Sequence, residues 1–170
     1  MTLPIKLKVK RLPHCRDLPR YATSGSAGLD LTAAIETPVT LQPGARAAIP
    51  TGIIVEIPQG HEGQVRPRSG LAARAGLTLT NCVGTIDSDY RGEVIVLLIN
   101  LGDQPYTVEP GERIAQLLVT PVPRVEVVEV EELTPNHERG AGGFGSTGRT
   151  TYACGSATQT GAPSTGSSML

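Results

Sequence analysis

The chain has 170 residues, 39% of them hydrophobic, and a net charge of −1. One domain is expected at this length, with a core large enough to need no staples. The near-neutral balance excludes a polyanion binder that works by bulk electrostatics, so no nucleic-acid partner is expected.

No apolar run approaches the roughly 20 residues that span a bilayer, so no membrane partner is expected either. The N-terminus lacks the long apolar core of a signal peptide. Cys15, Cys82 and Cys154 show neither zinc-type spacing nor a disulfide framework. A reducing cytoplasm is the plain expectation.

In chain order, Ile5, Leu7 and Val9 alternate with Lys6, Lys8 and Lys10, the period of a half-buried strand. Pro13 and Pro19 bracket a loop. Ala27 to Ala33 alternates again, and Val39-Thr40-Leu41 runs into a Gln-Pro-Gly turn. Residues 45–50 and 52–58 read as two short strands, and Val65 ends another. Short strands broken by Pro and Gly at such intervals indicate an all-β sandwich, jelly roll or barrel.

The one helix candidate is Ser69 to Ala75, with Ser69 placed to cap it and Gly76 to end it. Leu77-Leu79 and Val94-Ile99 then flank a polar stretch from Gly84 to Glu93, which reads as the head of a hairpin. Its two glycines suit a bend or a close ligand approach. Ile114 to Val119 is another strand, and Val125 to Val130 alternates with glutamates less strictly.

The unbroken apolar run Val94 to Ile99 gives a strand apolar on both faces. A sandwich covers only one of them. A second copy of the chain is the expected cover; the alternative is a strand internal to a closed barrel. From about Asn136, Gly, Ser, Thr and Ala dominate and periodicity ends. The expected organisation is a core over 1–135, a glycine-rich arm over 136–148 and a disordered tail over 149–170. The only Phe, Phe144, sits on that arm. A lone ring there implies something to land on, a neighbouring subunit or a flat ligand.

Several stretches carry chemistry by residue type. Asp30 stands between apolar neighbours and needs a partner or a cation. Arg66, Arg68 and Ser69 gather at a helix start, which suits an anion as well as a plain cap. Gln116 lies in an apolar run, where its amide must bond backbone or water. Cys82, beside Asn81, reads as a small core residue.

In order, five stretches resemble the motifs of the homotrimeric dUTP pyrophosphatases (dUTPases). They are Ala27-Gly28-Leu29-Asp30-Leu31, Pro67-Arg68-Ser69-Gly70-Leu71-Ala72, Gly84 to Glu93, Gly111-Glu112-Arg113-Ile114-Ala115-Gln116, and Arg139 to Gly148. The resemblance covers about residues 5 to 148. It implies a jelly-roll-like β-sandwich or barrel with one short helix and a flexible C-terminal arm, assembled as a homotrimer with shared sites.

The activity so implied is hydrolysis of dUTP to dUMP and pyrophosphate, with Mg²⁺ carried on the triphosphate. Asp87 would orient and deprotonate the attacking water, and Asp30 would hold a water of the metal or the sugar's 3′-hydroxyl region. Arg68, Ser69 and Gly70 would contact phosphate, Gln116 phosphate or water, and Arg139, Ser146 and Thr147 would close over the phosphates. Asn81 would read the uracil edge and Tyr90 would exclude a 2′-hydroxyl. Phe144 would stack on the base, a contact of about 1–3 kcal/mol. The nearest rivals are a dCTP deaminase on the same fold and a non-enzymatic nucleotide-binding trimer.

Overall fold

The structure, a computed structural model, describes residues 5–135 and 140–142. Contacts divide the chain into Met1–Glu126 and Val127–Leu170, and the regular elements lie in the first unit. Among the described residues no helix is long and apolar enough to cross a membrane.

Two antiparallel sheets carry the core. In one, β1 (Lys8–Arg11) pairs with β5 (Arg46–Glu56), β5 with β9 (Glu93–Asn100), and β9 with β7 (Leu77–Leu79). The other runs β2 (Arg20–Tyr21), β3 (Leu29–Thr32), β11 (Arg113–Pro121), β6 (His61–Arg66) and β8 (Gly84–Ile86). A ribbon joins β4 (Val39–Leu41) to β10 (Tyr106–Val108), and α1 (Ser69–Ala75) is a short helix. The sheets meet over one cluster that includes Leu31, Ile53, Val65, Val96, Leu98 and Leu117.

β9 shows how sequence becomes layer. Val94, Val96 and Leu98 are buried, whereas Ile95 and Leu97 are 39% and 40% exposed. The alternation of a strand therefore splits the apolar run between the core and an open face. A strand internal to a closed barrel is not what forms. The two strands expected over 45–58 are one strand, β5, whose register against β9 shifts between Pro50 and Ile54. Gly52 makes that bulge possible with a φ of +71°. A Cβ on it would lie 2.4 Å from the Cα of Cys15.

The helix ends as expected at Gly76, whose left-handed backbone returns its N–H to Ala72. It does not start as expected. The cap position is Arg68, with extended backbone, and no side chain caps the helix; Ser69 is already its first residue. The Arg68 guanidinium donates instead to the Arg113 carbonyl at 2.8 Å. Gly76 and Gly102 press together where neither has room for a Cβ.

Val125 to Val130 forms no strand, contrary to its alternation. Val125 and Val127 are 81% and 91% exposed. A strand needs a sheet edge to accept its backbone hydrogen bonds, and among the described residues this segment pairs with none.

Tyr106 carries a local pH signature. Burial, then the hydrogen bond its hydroxyl donates to Glu112, push its pKa up to about 12. The raised value favours the neutral phenol in the fold. Its stabilisation is complete below pH 10 and is lost as pH rises through about 12. Tyr106→Phe should cost about 1 kcal/mol at neutral pH. In urea titrations the gap from wild type should shrink as the phenol ionises.

Candidate active site

The polar stretch from Gly84 to Glu93 is not the head of a simple hairpin. Its flanks do pair, Leu79 opposite Leu98 in β7 and β9. Between them the chain crosses to the other sheet, where β8 pairs with β6, Ile86 opposite Gly63. Asp87 to Tyr90 then turns back, the Tyr90 N–H donating to the Asp87 carbonyl at 3.2 Å. The crossing leaves a cavity of about 210 Å³ lined by Asn81, Ile86, Asp87, Tyr90 and Val94, among others.

The glycines serve side chains here rather than backbone bends. Neither Gly84 nor Gly92 has a positive φ. A Cβ on Gly84 would lie 2.9 Å from the Asn81 amide nitrogen, and one on Gly92 would overlap the Tyr90 hydroxyl. Each glycine thus clears the space its neighbour's side chain fills. Cys82 is exposed and left-handed, with φ 58°, and is not a core residue. A tight turn places it outward, which its type alone did not reveal.

Asp87 is exposed, and among the described residues its carboxylate meets no hydrogen-bond partner. It borders the cavity on one side and, on the other, a polar recess with His61, Ser88, Asp89 and Arg124. A carboxylate so placed is open to water and able to accept a proton.

Asp30, Arg68, Ser69, Gly70 and Gln116 gather around a different cavity, of about 250 Å³. Strand register explains the meeting. Gln116 on β11 stands opposite Asp30 on β3 and opposite Arg66 on β6, just before α1. The Gln116 amide donates to the Pro67 carbonyl at 3.0 Å. Gly28 has no room for a Cβ, which would fall 2.5 Å from the Gln116 amide oxygen.

Asp30 has found partners rather than open space. Arg113 reaches one carboxylate oxygen at 3.0 Å and Arg68 the other at 3.5 Å, with the Asp30 side chain only 14% exposed. The sequence reading left Arg113 without a role. It holds Asp30 with its side chain and Arg68 with its carbonyl. Among the described residues no three His, Cys, Asp or Glu side chains gather as metal ligands. Both Asp30 oxygens face guanidinium groups, which leaves neither free for direct metal ligation.

The two cavities share no lining residue. Arg139, Phe144, Ser146 and Thr147 lie outside the described residues.

A family model described as dUTPase matches residues 16–148. The chain belongs to the dUTPase family. A deoxyuridine 5′-triphosphate nucleotidohydrolase of Methylocella silvestris is 57% identical over 152 residues, which is 87% of this chain and 94% of that protein. The Aquifex aeolicus protein of the same name is 64% identical over 123 residues, or 71% of this chain and 82% of that one. Among solved structures, the Staphylococcus bacteriophage 80alpha dUTPase with dUPNHPP superposes with a TM-score of 0.76 at 32% identity. It covers 84% of this chain and 98% of that one. Membership accords with the all-β fold.

Proposed function

We propose that the chain hydrolyses dUTP to dUMP and pyrophosphate, at sites assembled from several copies of itself. One observation carries the assembly. The residues suited to a nucleoside, Asn81, Asp87 and Tyr90, line one cavity, and those suited to phosphate, Arg68, Ser69, Gly70 and Gln116, line another. A triphosphate attached to a seated nucleoside needs both groups, and in our reading a second protomer supplies the phosphate cavity. The open apolar face at Ile95 and Leu97, and the exposed valines from Val125 onward, are the surfaces a copy would cover. A homotrimer is the assembly we favour.

In this reading the Asn81 amide hydrogen-bonds the uracil edge, and the Tyr90 ring lies against the deoxyribose where a 2′-hydroxyl would collide. Asp87 takes a proton from water as the water's oxygen bonds the α-phosphorus and pyrophosphate departs. Arg68 and the Gly70 backbone hold phosphate oxygens, and Arg68 arrives already oriented by Asp30 and Arg113. Mg²⁺, held on the triphosphate with Asp30 contacting one of its waters, would offset phosphate charge. Arg139, Ser146 and Thr147 would cover the outer phosphates and Phe144 the base. The mechanism needs no disulfide, which agrees with a cytoplasmic setting.

The test is pyrophosphate release from dUTP, dTTP, dCTP and UTP. Efficient turnover of dUTP alone is expected; ammonia release from dCTP would move the protein to the deaminases. Assembly has its own test. Asp87→Asn and Arg68→Ala should each be nearly inactive alone. Unfolded together and refolded as a mixture, they should regain about a quarter of wild-type sites by random assortment. No regain would mean that one chain supplies both groups to each site.

A further inference from the structure

We infer that Glu93 and His14 are positioning residues that hold Tyr90 in place and so set discrimination at the sugar. The inference rests on Tyr90 being the wall that faces the sugar. Tyr90 is 45% exposed, so packing alone does not fix its ring. Its hydroxyl donates to the Glu93 carbonyl at 3.1 Å. The ring's position therefore follows the backbone at the start of β9.

That backbone stands where the sheet is irregular. Glu93 pairs with Ile54 and Ile95 with Pro50, with the bulge between them. A bulge leaves backbone groups without ladder partners. Two side-chain bonds close this one. The Thr51 hydroxyl donates to the Val94 carbonyl at 2.6 Å, and the Gly52 N–H donates to the Glu93 carboxylate at 2.7 Å. The same Glu93 oxygen meets the His14 ring at 2.8 Å.

The N-terminal loop completes the support. The Leu12 N–H donates to the Gly52 carbonyl at 2.8 Å, and the Cys15 backbone occupies the space a Gly52 side chain would need. A line of contacts thus runs from His14 through Glu93 to Tyr90. His14 precedes the span that matches the family model. Loss of either contact frees the start of β9 and lets the Tyr90 ring drift from the sugar.

Selectivity, the ratio of kcat/KM for dUTP to that for UTP, is the measurement, because a merely structural staple would not move it. Glu93→Ala should lower it at least about tenfold. Glu93→Gln, which keeps an acceptor for the Gly52 N–H, should recover most of the loss. His14→Ala should lower selectivity about threefold, with KM for dUTP rising more than kcat falls. Reduced thermal stability with selectivity still at the wild-type value would overturn the inference. Should Glu93→Ala fail to fold, His14→Ala decides, since that partly exposed ring lies outside the core: unchanged selectivity rejects the link. Absence of dUTP turnover in the wild type would instead reject the functional reading beneath it.

Discussion

Asp87→Asn should lower turnover of dUTP by about 10²–10⁴-fold, the range for losing a general base. The amide has nearly the shape of the carboxylate but cannot accept the water's proton. Asp87 is exposed at the rim of the cavity lined by Asn81 and Tyr90 and meets no described partner. Stability should therefore stay within about 0.5 kcal/mol of wild type. The proposed phosphate contacts lie elsewhere, on Arg68, Ser69 and Gln116, so binding of a non-hydrolysed dUTP analogue should survive. Single-turnover pyrophosphate release and calorimetric titration measure the two separately. Turnover at the wild-type rate would remove Asp87 from the mechanism. Lost binding would reassign it to nucleotide recognition.

Asn100→Ala should be the most damaging substitution to the fold itself. Asn100 has no solvent exposure and makes three hydrogen bonds. Its amide donates to the Leu41 carbonyl at 2.9 Å and the Gln104 carbonyl at 2.8 Å, and accepts from the Gly102 N–H at 2.9 Å. Alanine strands all three backbone groups in or near the core. The cost should be about 3–5 kcal/mol. For a domain of this size that is a fall in Tm of roughly 6–20 °C. The loop held by Asn100 is also the one Gly76 packs against at the end of α1. Loosening it should disturb Arg68, Ser69 and Gly70 at the helix start. Weakened phosphate binding should therefore appear well below the melting transition. A shift of less than about 1 kcal/mol would mean that water replaces the lost amide.

The alternating stretches were readable as strands because burial on one face imposes a period of two. That held for β1 and β3, whereas β9 and β11 were read from apolar runs. It failed at Val125 to Val130, where a strand-like pattern has no described sheet edge to join. It also failed to see β5 as one strand, since Gly52 looks like a break in sequence and is a bulge in space. The helix was legible from its length and Gly76. Its cap was not, because Arg68 is drawn to Asp30 and the Arg113 carbonyl, and those contacts span 38 and 45 positions in the chain.

At the site, the residue types were legible motif by motif. Asp30, Arg68, Asn81, Asp87, Tyr90 and Gln116 all line one of two cavities. Their partners were not. Nothing local joins Arg113 to Asp30 or His14 to Glu93, since those pairs form only when strand register brings distant segments together.

The sequence by itself determined the polar stretch from Gly84 to Glu93, its carboxylate and ring, and the apolar run after it. Those are properties of residue type and spacing. Tertiary structure decided that the stretch bridges two sheets instead of capping a hairpin, and that Gly84 and Gly92 make room for Asn81 and Tyr90. It also decided that Arg68, Ser69, Gly70 and Gln116 line a different cavity from Asn81, Asp87 and Tyr90. The reason is geometric: backbone hydrogen bonds choose among possible neighbours, and only the completed sheets establish which side chains share a cavity.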